Sequence, residues 1–195
     1  MILNPIQTQI RAVASNGGQQ HTGVATVFLY LQQDGTTKGR WELEYGTDGY
    51  VLANSPPDEK LPRYVTQFSA VKLDGTALDV FTYPSSSGDP RALVNPDGTA
   101  RNVIVWDDAA GFTLSFDVSD SQPHLFGIYC LDFEPLGRVQ TIQVSNAATA
   151  VVLDTQTLSN FGGGVYLFWN FSGPIQIKVT QTTGPNAVVS GFFFR

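Results

Sequence analysis

Apolar and polar residues alternate with a period of two along much of this chain, most clearly near its end. Ile175, Ile177 and Val179 alternate with Gln176, Lys178 and Thr180, the pattern of a strand buried on one face. The flanking runs VYLFWNF and NAVVSGFFF are apolar at both parities. Such runs predict strands in the middle of a packed two-layer structure, and Gly184-Pro185-Asn186 supplies the turn before the last one. Phe112, Leu114, Phe116 and Val118 alternate with Thr113, Ser115 and Asp117, predicting a strand with one wet face. Further runs recur from Val24 onward: VATVFLYL, RWELEYG, YVLAN, YVTQFSAV, VIVW, HLFGIYCLDF, VQTIQVS and AVVLDTQTL. The pieces between them carry Gly, Pro, Asp and Asn where turns need them, and helical periodicity is nowhere sustained. Trp169, Phe192 and Phe194 read as packing residues, and the small Ser190 and Gly191 predict a close approach by neighbouring backbone or a ring.

Composition narrows this to an all-β, antiparallel two-sheet β-sandwich in a single domain. At 195 residues the chain buries a sufficient core without disulfide or metal staples. Residues 1–23 hold one weak strand, QIRAVA, followed by a Gly/Gln/Ser stretch of linker composition, so they are read as an arm or linker and 24–195 as the sandwich. A net charge of −6 with dispersed basic residues argues against a nucleic-acid partner. No apolar run reaches the ~20 residues of a membrane-spanning helix. The start of the chain lacks a secretory leader, and a secreted or cell-surface piece of a longer polypeptide is the preferred setting. Cys130 is the one cysteine, which excludes an internal disulfide.

Two groups of residues carry candidate chemistry. Trp41, Tyr45 and Tyr50 lie near Asp48 in WELEYGTDGY. Aromatic faces beside a carboxylate suit sugar recognition, since CH groups stack on rings and the acid accepts hydroxyl hydrogen bonds. The competing reading makes Trp41 and one tyrosine core residues and the Asp-Gly a hairpin turn. LDFEPLGR brings Asp132, Glu134 and Arg138 to one strand end and its loop, where two carboxylates and a guanidinium could clasp a polar ligand. A plain Arg138–Glu134 salt bridge accounts for the same residues, while a buried Asp132 requires a partner nearby. Asp89-Pro90-Arg91 reads as a loop ordered by an Asp–Arg pair. Glycosidases place two carboxylates across a cleft, whereas Asp132 and Glu134 project side by side, so catalysis is not expected. His21 and His124 with one cysteine give no transition-metal spacing.

Several segments, in order, resemble a galactose-binding-like jelly-roll module found in C-terminal regions of large secreted bacterial proteins, including glycoside hydrolases and surface proteins. They are TTKGRWELEYGTDGYVL, DPRAL, the Arg101 to Trp106 strand, FDVSDSQPHLFGIYCLDFEPLGRVQTIQV, VLDTQTLSNFGGGVYLFWNFSG and GPNAVVSGFFF. The chain departs from that pattern at Trp106-Asp107-Asp108 and at Pro174. The resemblance implies a non-catalytic accessory module with a polysaccharide or glycan partner. No cofactor is expected; the resemblance leaves room for a structural calcium, for which Asp48, Asp132 and Glu134 are ligand candidates only if the fold joins their loops. The alternative is a structural or adhesive spacer, which predicts that exposed aromatics are few and scattered.

Overall fold

The computed structural model describes residues 29–54, 58–84 and 88–195; the expected arm at 1–23 lies outside them. In chain order the strands are β1 (Leu29–Asp34), β2 (Gly49–Leu52), β3 (Asp58–Lys60), β4 (Val65–Lys72), β5 (Asp79–Thr82), β6 (Leu93–Val94), β7 (Arg101–Asn102), β8 (Ile104–Asp108), β9 (Gly111–Val118), β10 (His124–Cys130), β11 (Val139–Asn146), β12 (Val152–Ser159), β13 (Val165–Phe171), β14 (Ile175–Thr183), β15 (Ala187–Val189) and β16 (Gly191–Phe194). A six-stranded sheet runs β1-β13-β10-β16-β2-β3, and a five-stranded sheet runs β12-β11-β14-β9-β4. All pairings are antiparallel. β10 and β13 are neighbours in one sheet while the hairpin β11–β12 between them in sequence belongs to the other. This interleaving is the jelly-roll connection, and the architecture is the two-sheet sandwich that the alternation predicts.

Between the sheets, side chains of one parity form a single aromatic core. Phe116 of β9 meets Phe126, Phe171 and Phe194 edge-on at 5.5, 5.3 and 5.3 Å between ring centres, while Phe126 stacks on Trp169 at 5.1 Å. These rings, with Phe192, are almost completely buried. Each buried Phe contributes roughly 1.5–3 kcal/mol of transfer free energy, and the edge-to-face pairs add about 0.5–1.5 kcal/mol each.

Two expected strands form differently. RWELEYG is a 3-10 turn, Trp41–Leu43, because both Glu44 N and Tyr45 N donate to Trp41 O, at 3.1 and 2.7 Å. Its Trp-Leu-Tyr alternation imitates a strand, yet Leu43 is 64% exposed. NAVVSGFFF is broken at Ser190. β15 joins a three-stranded sheet β15-β8-β5, whereas β16 enters the six-stranded sheet. A Cβ at Gly191 would lie 3.0 Å from Val51 O, so the small residue lets β2 approach. Beside these, β6 and β7 form a two-stranded hairpin.

Candidate functional site

The six-stranded sheet has a second aromatic face, directed away from the sandwich core. Tyr129, Tyr166, Phe168 and Phe193 belong to the parity opposite Phe126, Trp169 and Phe192. The chain covers this face with its own segment between β1 and β2. Tyr45 packs on Phe168 and Tyr166 at 4.4 and 4.9 Å, and Trp41 packs over the cross-strand neighbours Tyr50 and Phe193 at 4.8 and 5.0 Å. Trp41 is 3% exposed, and its indole N–H donates to Val94 O at 2.8 Å. Tyr45 Oη donates to Asp34 Oδ2 at 2.9 Å. Burial, then this hydrogen bond to Asp34, pushes the Tyr45 phenol up to about 12. The expected aromatic cluster therefore forms, but Trp41 is buried within it and Tyr45 and Tyr50 are half-buried.

Asp132 and Arg138 come together at the far end of β10. Asp132 is 5% and Arg138 3% exposed, and Arg138 Nη1 is ion-paired to Asp132 Oδ1. Asp132 also accepts from the backbone N–H of Arg138 and Leu136, at 3.2 and 3.4 Å. Arg138 Nε donates to Asn186 Oδ1 at 2.7 Å, and Asn186 Nδ2 donates to Asp107 Oδ2 at 2.7 Å. The partner that a buried Asp132 requires is thus Arg138 itself. Glu134 is exposed and offers its backbone carbonyl, not its carboxylate, to Arg138 at 3.4 Å. This corrects the Arg138–Glu134 salt bridge: Asp132 is already drawn into the interior at the strand end, where the guanidinium's charge is needed more.

Nearby, Arg91 binds both oxygens of Asp89 at 3.0 and 2.7 Å, donates to Gly162 O at 2.6 Å and sits 4.8 Å over the Phe133 ring. The expected Asp89–Arg91 pair thus ties three loops together.

Asp48 lies elsewhere. Its backbone N donates to Phe194 O at 3.2 Å, and Phe194 is level with Phe126 near the start of β10. From there to Asp132 the chain runs the length of the strand, roughly 20 Å at ~3.3 Å per residue. Asp48 and Asp132 therefore do not share a cation site, and among the described residues no three His, Cys, Asp or Glu side chains gather as a metal-holding group.

Two open concavities among the described residues lie around the β6–β7 hairpin, which composition alone does not single out. Leu93 pairs with Asn102 and Val94 with Arg101. Directly opposed residues of an antiparallel pair share a face and adjacent ones alternate, so the hairpin has an Arg101/Val94 face and an Asn102/Leu93 face. On the first, a groove of about 400 Å³ is lined by Arg40, Glu42, Val94, Gly98, Thr99, Ala100 and Arg101. Arg40 and Glu42 flank the inward-turned Trp41 and are exposed, with Arg40 Nε 3.8 Å from Glu42 Oε1. Arg101 Nη1 donates to Ala92 O at 3.0 Å, which fixes its guanidinium at the groove wall. The hairpin tip is an Asp-Gly-Thr turn in which Thr99 N and Oγ1 both donate to Asp97 Oδ1, at 2.9 and 2.7 Å. On the second face, a small cleft is lined by Leu52, Ala53, Asn54, Leu93, Asn95, Asn102, Ile104 and Ser190.

The groove offers forked donors, one carboxylate acceptor and a hydroxyl, which is hydrogen-bonding chemistry suited to a hydroxylated ligand. Glu42 is the single carboxylate among the described residues lining it, whereas glycoside hydrolysis uses a pair.

No family model matches the chain, and no curated protein matches it. Among solved structures it is similar to a carbohydrate-binding module from Cellvibrio mixtus lichenase 5A in complex with cellotriose, at 12% identity and a TM-score of 0.39, covering 76% of this chain and 96% of that one. A family 35 carbohydrate-binding module from Clostridium thermocellum is similar at 11% identity and a TM-score of 0.35, covering 66% and 98%. A shared ligand does not follow from likenesses of this size.

Proposed function

We propose that the chain is a non-catalytic accessory module of a secreted bacterial protein that binds carbohydrate in the groove between Arg40–Glu42 and the β6–β7 hairpin. The observation that carries this reading is the groove itself: about 400 Å³ of open space walled by Arg40, Glu42, Thr99 and Arg101. Its guanidiniums donate to sugar hydroxyl and ring oxygens, and Glu42 accepts from hydroxyls. Recognition here is by hydrogen bonding along an edge, without an aromatic platform. Cellotriose, a short neutral oligosaccharide rich in hydroxyls, serves as a first probe.

One observation favours the spacer reading. Among the described residues Phe81 is the one exposed aromatic, at 48%, and scattered aromatics are what a module without a small ligand shows. Glycan arrays and pull-downs on insoluble polysaccharides separate the two. Binding that is lost in Arg101→Ala and Glu42→Ala supports the groove, and no binding by the folded protein across the panel leaves the spacer.

A further inference from the structure

The hairpin's second face raises a question that the groove does not. Ser190 sits at the break between β15 and β16, where its N donates to Tyr129 O and its O accepts from Ala53 N, at 2.8 and 2.9 Å. Both backbone groups are satisfied, so the fold specifies the backbone here and leaves the side chain free to serve another end. Ser190 is 2% exposed, and its Oγ is buried without a hydrogen-bond partner. An unpaired buried hydroxyl is costly and rare in native structures. Ser190 is one of the residues lining a small cleft, together with Asn54, Asn95 and Asn102. The Asn102 Nδ2 to Asn95 Oδ1 hydrogen bond, at 3.3 Å, orients two of these side chains toward each other. It leaves Asn102 Oδ1 an acceptor and Asn95 Nδ2 a donor. The floor is apolar, formed by Leu52, Ala53, Leu93 and Ile104.

We infer that this cleft is a second binding subsite, one that takes a hydroxyl group of a neutral sugar. Its free volume is about 20 Å³, room for one water-sized group. A ring does not fit, but a single hydroxyl inserted from a sugar lying across the mouth does. Three amides and a hydroxyl both donate and accept, as an alcohol does, and carry no charge to attract a carboxylate or phosphate. The apolar floor suits the carbon bearing that hydroxyl. The two faces of one hairpin thus differ in kind: the groove side is charged, and the cleft side is neutral. The subsite extends the carbohydrate-binding reading, and the two can fail separately.

The test is side-chain NMR on the full chain with a panel of neutral oligosaccharides that includes cellotriose, maltotriose and mannotriose. The amide NH2 signals of Asn54, Asn95 and Asn102 report the cleft, and the Nε–H signals of Arg40 and Arg101 report the groove. Saturable shifts of the asparagine signals with at least one sugar, weakened about tenfold or more in Ser190→Ala and in Asn102→Ala, support the subsite. The second variant decides the matter if Ser190→Ala does not fold. Shifts confined to the arginines, unchanged affinity in both variants, or no asparagine response to any sugar overturn it, and the cleft is then the seat of a structural water. Asparagine shifts without arginine shifts keep the subsite and remove the groove reading.

Discussion

Removing one member of the Asp132–Arg138 pair should cost this domain a large part of its stability. Both side chains are nearly inaccessible, so the charge left behind in Arg138→Met or Asp132→Asn has no water to solvate it. Loss of one partner from a buried pair costs about 3–5 kcal/mol. In Arg138→Met, Asp132 keeps only the two long backbone donors of Arg138 and Leu136, and Asn186 loses the donor to its Oδ1. In Asp132→Asn, Arg138 keeps Asn186 and the Glu134 carbonyl. At about 2–4 °C per kcal/mol for a domain of this size, the midpoint falls by roughly 6–20 °C. Thermal unfolding followed by tryptophan fluorescence measures the midpoint, and urea unfolding the free energy, with the slope checked for two-state behaviour. The double variant Asp132→Asn/Arg138→Met should cost less than the sum of the singles by about 0.5–3 kcal/mol. Losses under about 1 kcal/mol in both single variants, the range of exposed pairs, would refute a buried structural role and return these residues to solvent.

Three further outcomes are expected. Phe116→Ala, which empties the centre of the ring cluster, should destabilise by about 3–5 kcal/mol in the same assay; a loss below about 1 kcal/mol contradicts the packing. Burial pushes the Cys130 thiol well above its usual range, against a hydrogen bond from Gln140, so a thiol reagent should label it only in denaturant; fast labelling of the native protein opposes this. At Asp34 burial opposes ionisation, but hydrogen bonds from Thr36, Thr37 and Tyr45 outweigh it and hold the carboxyl well below its usual range; at Asp89 the Arg91 side chain does the same. Depressed carboxylates contribute their full stability above an unfolded pKa near ~4 and lose it as pH falls below that. Stability should therefore fall more steeply with acid in wild type than in Asp34→Asn, so that at matched neutral-pH stability acid unfolding monitored by circular dichroism has its midpoint at the higher pH in wild type; identical acid profiles falsify the assignment.

The long strands were legible because burial and period coincide in them. Ile175 to Val179 and Phe112 to Val118 alternate in the structure as they do in the sequence. β3, β5, β6 and β7 carry no such signal: Asp58–Lys60 is wholly polar, and Leu93–Val94 is two residues long. Their pairing is set by the strands beside them. A single inserted ring such as Trp41 in a 3-10 turn has the sequence pattern of an inward strand position, and that pattern carries no sign that Arg40 and Glu42 are turned outward by the same geometry. One local signal could have found the hairpin. Asp-Gly-Thr occurs at 34–36, 74–76 and 97–99, and in each the Thr N and Oγ1 donate to the Asp Oδ1. The third such turn is the tip between β6 and β7, but which side chains face a concavity depends on long-range pairing.

The most direct measurement is a calorimetric titration of the wild-type chain with the glycans selected by array, beginning with cellotriose, repeated on Arg101→Ala and Glu42→Ala variants of unchanged unfolding midpoint. Carbohydrate binding in the groove predicts saturable heat in the wild type and affinity about tenfold or more weaker in each variant. Equal affinity in all three proteins, or no heat with any glycan, contradicts it.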